Sequence, residues 1–331
     1  MKRYVLQRFL SLAPVLLGIT FLSFALMRLA GSDAITEMYS GVGAAVSQET
    51  FDAARAKLGL DRPFLVQYFS WLGHMLTGDM GKSFVSGRDV LGTFLSKLPA
   101  TLLLAALSIL FTVAVSVPLG VASAVAHQKA QTARDASARS ACSLLDSVVR
   151  LVSFIGNSMP NFFVALLLMH FLAIRLGWLP VIANGVTLAG AVMPTLTLSI
   201  AMSAKYLRQV RAAVLDELSK DYVTGAKSRG VSDGVILTKS VLRSSLMTVV
   251  TLLALSVGSL LAGTAIVETI FMWDGVGKLA VDAIMMRDYP LIQAYVVWMA
   301  IIYVGVNLVA DLLYLVLDPR VRLEVERHDG V

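Results

Sequence analysis

Six stretches of this chain contain no Asp, Glu, Lys or Arg: residues 9–27, 98–126, 151–174, 176–204, 244–267 and 289–310, which are 19, 29, 24, 29, 24 and 22 residues long. A helix crossing a hydrocarbon core ~30 Å thick needs about 20 residues, so every one of these stretches can span. The charges, only 15% of residues against about 25% in ordinary soluble domains, are clustered between the stretches. Six buried core helices in a soluble fold would leave almost no polar surface to dissolve it. Outer-membrane barrels show roughly ten-residue alternation instead of unbroken apolar runs. The pattern therefore predicts an all-α, polytopic membrane protein with six transmembrane helices. Cys142 is the single cysteine, which rules out an intrachain disulfide framework. The net charge of +6 fits basic loops beside a membrane better than nucleic-acid binding.

The chain opens with Lys2, Arg3 and Arg8 ahead of an apolar run reaching Met27. That run is long for a signal-peptide core and no clean small-x-small site follows, so 1–30 reads as a cytoplasmic tip and a retained first span. Residues 31–97 form an extracytoplasmic region. In it, Leu58-Gly59-Leu60-Asp61-Arg62-Pro63 reads as a helix end and turn. Phe64–Leu76 has apolar residues at helical spacing and is expected to lie in the interface plane or against the membrane domain. Residues 98–317 read as a five-helix core. Its second span starts after Pro99, and its third has Pro160 inside it, leaving one carbonyl without a helical partner. The fourth covers roughly 188–207 with Pro194, the fifth about 244–267, and the sixth runs to about Leu317. An inner loop, 209–243, joins the fourth and fifth spans, and 318–331 is a polar tail. With the N-terminus inside, 18 basic residues fall on inner segments and nine on outer ones. The bias is strongest in the short loops, so both termini are expected in the cytoplasm.

Few residues suggest chemistry. Gly78-Asp79-Met80-Gly81-Lys82-Ser83 evokes a phosphate loop, but Leu76 stands where the motif requires glycine. His74, His127, His170 and His328 form no metal-ligand spacing. Glu268 is expected at the outer interface, where its charge is inexpensive. Asp311 lies in the inner half of the sixth span and is expected to face protein or the boundary. Asp221-Tyr222-Val223-Thr224-Gly225-Ala226-Lys227-Ser228-Arg229-Gly230 mixes small and charged residues around a short candidate helix with Gly230 as its exit. Taken alone, it reads as either a charged connecting loop or a helix that presses on a cytosolic partner.

Several strings together resemble the first-type permease subunit of the bacterial dipeptide, oligopeptide, nickel and glutathione ABC importers. They include Arg3-Tyr4-Val5-Leu6-Gln7-Arg8, Leu58–Pro63, Leu98-Pro99-Ala100-Thr101 and Leu176-Gly177-Trp178-Leu179-Pro180. Val66-Gln67-Tyr68, Asp221-Tyr222-Val223, Val267-Glu268-Thr269-Ile270-Phe271, Gly275-Val276-Gly277, Arg287-Asp288-Tyr289-Pro290 and Asp318-Pro319-Arg320 complete the set. The likeness covers almost the whole chain. It departs from the general importer pattern at Thr224-Gly225-Ala226, where an acidic residue is expected.

This resemblance implies the ABC importer permease fold and a non-catalytic subunit that binds no cofactor, with ATP and Mg held by partner ATPases. Asp221, Tyr222, Ala226, Lys227 and Gly230 are the residues it places against an ATPase. The implied partners are a homologous second permease, two cytosolic ATPases and an extracytoplasmic solute-binding protein. The implied cargo is a peptide or a nickel or metal chelate, carried across the bacterial inner membrane by alternating access. From composition alone, a proton- or sodium-coupled secondary transporter and a non-transport membrane scaffold remain the other readings.

Overall fold

In the computed structural model the described residues are 2–29, 61–133, 135–183 and 185–317. Leu58-Gly59-Leu60 of the expected turn, the motif Asp318-Pro319-Arg320 with its tail, and the side chain of Asp311 lie outside them. The helices are α1 (Lys2–Leu29), α2 (Phe64–Leu76), α3 (Val90–Thr132), α4 (Ala136–Ser158), α5 (Asn161–Leu168), α6 (Leu188–Leu218), α7 (Asp221–Ser228), α8 (Leu242–Ile270), α9 (Val276–Met285) and α10 (Tyr289–Leu317). A π-helical segment, Met169–Arg175, prolongs α5, and a turn, Asp233–Val235, with a second π segment, Ile236–Val241, leads into α8. Of the described residues, 2–29, 61–99 and 275–308 group as one compact unit, and 100–133, 135–183, 185–274 and 309–317 as another.

In the first unit, α2 has the bounds its periodicity predicts. Pro63 precedes it with φ −55° and ψ 144°, an extended conformation that proline enters readily. Its aromatic residues meet α1: Phe21 lies edge-on to both Phe64 and Tyr68, and Phe24 packs against Phe64, Tyr68 and Trp71. The buried hydroxyls of Thr20 and Tyr68 share a hydrogen bond of 3.0 Å. A second anchor joins Ser83 to Asp288, which is 2% exposed. Ser83 Oγ and Phe84 N both donate to its carboxylate, the latter at 3.2 Å. The residues that evoke a phosphate loop thus serve a loop anchor, where the backbones of Lys82 and Asp89 pair in an isolated antiparallel β-bridge. Asp89 then accepts from the Gly92 amide at 2.6 Å, capping α3. That cap starts the helix at Val90, ahead of the expected start after Pro99.

The second unit is organised on α6. Of its apolar window, 56% is buried inside the chain, against 28% for α3. Small residues let neighbours approach closely, as helix packing in membranes favours. A Cβ placed on Gly120 of α3 would lie 2.8 Å from the Val210 side chain and 3.0 Å from the Leu207 carbonyl. One placed on Gly156 of α4 would lie 3.1 Å from Ala204 Cβ. Ser199 Oγ lies 3.2 Å from the Ser108 carbonyl, which marks the close approach of α6 to α3.

Three expectations need correction. Pro160 does not sit inside a continuous span. The chain leaves the helix at Met159 (φ −86°, ψ 127°), and Pro160 precedes the new helix α5. The α4–α5 pair is bent by 103°. The residue before proline is driven to extended backbone, so the helix stops and restarts, and Pro160 O accepts from the Phe163 and Val164 amides. Glu268 is not at an exposed interface. It is fully buried and accepts from Thr101 Oγ1 at 2.7 Å, while the buried Trp273 donates from Nε1 to the Ala100 carbonyl at 3.0 Å. Two of the motifs that carry the family resemblance therefore meet each other. The segment 209–243, read as a loop, is also largely helical, since α6 continues to Leu218 and α8 begins at Leu242.

Among the described residues, α3, α6 and Tyr289–Val309 of α10 are each long and apolar enough to cross a membrane. The α4–α5 pair qualifies as a broken span, and Ala13–Leu29 and Ser256–Ile270 are shorter apolar helices.

The Gly120 contact is open to a direct test. Gly120→Val overpacks it, at a cost of about 1–3 kcal/mol. The purified subunit is expected to melt at lower temperature in detergent, with part of the loss recovered by Val210→Ala. Equal melting of Gly120→Val and wild type refutes the close approach.

Candidate functional site

The sequence-predicted site residues fall on or beside α7, an eight-residue helix between α6 and the turn at Asp233. An isolated helix of that length is unstable in water, so its neighbours must hold it. Val223 is the main anchor. It is 1% exposed and belongs to an apolar cluster with Ala124 of α3, Tyr206, Val210 and Val214 of α6, Ile236 and Val241 of the π segment, and Val249 of α8.

Polar contacts hold the ends. Glu217, in the last turn of α6, accepts from Lys220 Nζ and from the Tyr222 hydroxyl, the latter at 3.0 Å. Burial and the Glu217 carboxylate, in that order of effect, push the Tyr222 hydroxyl up to about 12, so it remains a protonated donor at neutral pH. Asp221 is in the first helical turn, where a negative charge complements the helix dipole. At the other end, the Gly230 amide donates to the Lys227 carbonyl at 2.9 Å and the Val231 amide to the Ala226 carbonyl at 3.1 Å. With Gly230 at φ +80°, these two bonds form a Schellman stop. A side chain at Gly230 would meet nothing within 4 Å, so the strain of a substitution there comes from the left-handed backbone. Lys227 Nζ lies 3.2 Å from Asp233 Oδ1, both side chains being well exposed.

Ala226, which the resemblance places against an ATPase, is half-buried and packs with Val223 against the chain's own cluster. The exposed positions of α7 are Asp221, Tyr222, Thr224, Lys227 and Ser228. Glu217 and Val223 are the residues that sequence reasoning missed as structural supports. Val223 was visible as the one bulky aliphatic residue of the segment, whereas Glu217 among other charges gave no sign of burial.

The joint yields a prediction. Glu217→Ala removes the shared acceptor. A hydrogen bond to a charged group contributes about 1.5–3 kcal/mol, and half-exposed Lys220 contributes less than that. Amide exchange over residues 218–223 is expected to quicken while exchange in α3 stays unchanged. Unaltered exchange over 218–223 removes Glu217 from the joint.

Residues 136–323 match the family described as "binding-protein-dependent transport system inner membrane component", and residues 1–105 match its N-terminal counterpart. The chain is 36% identical over 333 residues to the oligopeptide transport system permease protein AppB of Bacillus subtilis, covering 97% of this chain and 99% of that one. It is 33% identical over 321 residues to the nickel import system permease protein NikB of Staphylococcus aureus, covering 97% and 92%. Among solved structures, an inward-facing conformation of the MetNI methionine ABC transporter matches with a TM-score of 0.56 and 16% identity, over 69% of this chain and 97% of that one. That likeness concerns the fold. By its family match and by relatives that align along nearly their whole length, the chain belongs to the inner-membrane components of binding-protein-dependent transport systems, as the permease subunit of an ABC importer.

Proposed function

We propose that α7 is the surface through which this permease engages a cytosolic ATPase, with Asp221, Tyr222, Ala226, Lys227 and Gly230 forming or shaping the joint. The observation that carries the reading is the two-sidedness of α7. One side is fastened through Val223 and Ala226 to four other segments of the chain, and the opposite side exposes Tyr222, Thr224 and Lys227. A helix held in this way passes an applied displacement to its own subunit instead of absorbing it in a flexible loop. Tyr222 and Lys227 supply contact, Ala226 holds the helix to its base, and Gly230 ends it.

ATP and Mg then act in the partner subunits, and this chain performs no covalent step. Two ATPases, a homologous permease and a solute-binding protein complete the assembly, and alternating access carries the cargo inward. Relatives named for oligopeptide and nickel transport favour a peptide or a metal chelate as cargo. The same reading places six spans between cytoplasmic termini. These are α1, α3, the broken α4–α5 pair, α6, α8 and α10, with 31–97 outside, 98–317 as the permease core, 209–243 inside and 318–331 as a cytoplasmic tail. The ion-coupled secondary transporter is set aside because the family is one of binding-protein-dependent systems.

In a Cys142→Ser background, Ser86→Cys is expected to label from outside and Ser232→Cys from inside in intact cells. The reverse pattern overturns the topology. Thr224→Cys, at an exposed position, is expected to cross-link to an ATPase subunit in the assembled complex. Tyr222→Ala should lower ATPase co-purification with normal membrane insertion. Because Ala226 packs inward, Ala226→Glu buries a charge within this subunit as well, and it is the less selective test. Wild-type ATPase recovery with Tyr222→Ala and no cross-link from Thr224→Cys refute the docking assignment.

A further inference from the structure

Close to α7, a second polar node joins three helices. Asp146 of α4 is 2% exposed and receives Arg211 of α6 as a fork: Nε donates to Oδ1 at 2.7 Å and Nη2 to Oδ2 at 2.9 Å. From α3, Ser123 Oγ donates to Oδ1 at 2.5 Å, and His127 Nδ1 lies 3.2 Å from Oδ2. Arg150, one turn further along α4, has Nε 3.4 Å from Oδ2. One carboxylate thus meets two guanidinium groups, an imidazole and a hydroxyl.

The composition of the α4 surface gives this node its weight. The only fully buried residues of α4 are Asp146 and Ser153. Most of its large apolar residues, among them Leu144, Val148, Leu151, Val152 and Phe154, are about half exposed or more. α4 therefore rests on α6 through a buried carboxylate and through small residues such as Gly156 against Ala204. Smooth contact between small residues permits sliding. A bidentate guanidinium–carboxylate pair fixes both distance and orientation.

The node also stands next to the seat of α7. Arg211 precedes Glu217 by six residues, about 9 Å along the helix. Ser123 adjoins Ala124, a member of the cluster that holds Val223. Beyond the node, α4 leads through Met159 and Pro160 into α5.

We infer that the Asp146–Arg211 pair is the link that passes displacement of α7 through α6 to α4 and its bent continuation α5. Asp146 is a positioning residue, acting through Arg211. The inference rests on the reading of α7 as the ATPase-facing helix and adds the path that motion takes inside the subunit. A pair that serves only folding leaves transport and hydrolysis in their normal ratio in whatever complex assembles. A pair that transmits motion changes the ratio.

The test is made on the complete transporter in vesicles, measuring both uptake and ATP hydrolysis per assembled complex, with Thr224→Cys cross-linking run in parallel. Asp146→Asn keeps the shape and removes the charge, and Arg211→Lys keeps the charge and gives up the fork. Both are expected to assemble, to cross-link through position 224 and to hydrolyse ATP. Transport per ATP is expected to fall about fivefold or more, the low end of the coupling between linked sites. Asp146→Glu, which retains charge and acceptor pair, should recover part of the ratio. A wild-type ratio in either variant that assembles overturns the inference while leaving the α7 reading intact. Failure of both to assemble assigns the pair to folding alone and also overturns it. Absence of the position-224 cross-link in the otherwise wild-type complex defeats the α7 reading, whatever the ratio.

Discussion

The close contact of α6 with the helices around it is the interaction on which the second unit depends. Between apolar helices in a membrane there is little hydrophobic gain to drive association, so contact distance and internal polar pairing decide the packing. α6 meets both requirements. Its neighbours present Gly120 and Gly156 where a larger side chain does not fit. Its own Thr197 and Ser199 turn their hydroxyls back to the carbonyls of Met193 and Thr195 at 2.8 and 2.6 Å. Those back-bonds lie beside Pro194, whose missing amide already loosens the ladder. At the far end of α6, Arg211 and Glu217 replace apolar contact with charge-assisted hydrogen bonds.

That change of bonding along one helix explains how α7 can be short and still well placed. An eight-residue helix has too few internal bonds to stand alone. Val223 sinks into a cluster drawn from α3, α6, the π segment and α8, Glu217 holds the entry, and Gly230 closes the exit with a left-handed turn. Loss of any one of these supports would loosen α7 relative to its base without unfolding the long helices. The unit of 1–99 and 275–308 uses another scheme. Aromatic edges between α1 and α2 and the Ser83–Asp288 anchor hold it. Arg287, next to the anchor's Asp288, adopts φ +53°, a conformation uncommon for a residue with a side chain.

Legible in the order of residues are the helical membrane class, the position of the long apolar stretches, the bounds of α2, and a short candidate helix at α7 with Gly230 as its exit. All of these depend on hydropathy, local periodicity or a single glycine, which operate within a few residues. Tertiary structure alone decided how the stretches end and what they bury. Pro160 breaks the chain instead of kinking it, and α3 starts early because Asp89 caps it. Glu268 is buried because Thr101, 167 positions away, donates to it. Asp146 reads in the sequence as one acid among basic residues. It becomes a buried node because Arg211, 65 positions later, reaches it with both nitrogens. Ala226 faces inward because the cluster around Val223 lies on its side of the helix. A charge is expensive to bury unless it is paired, and whether it is paired depends on residues far away in the chain, which hydropathy and local spacing do not encode.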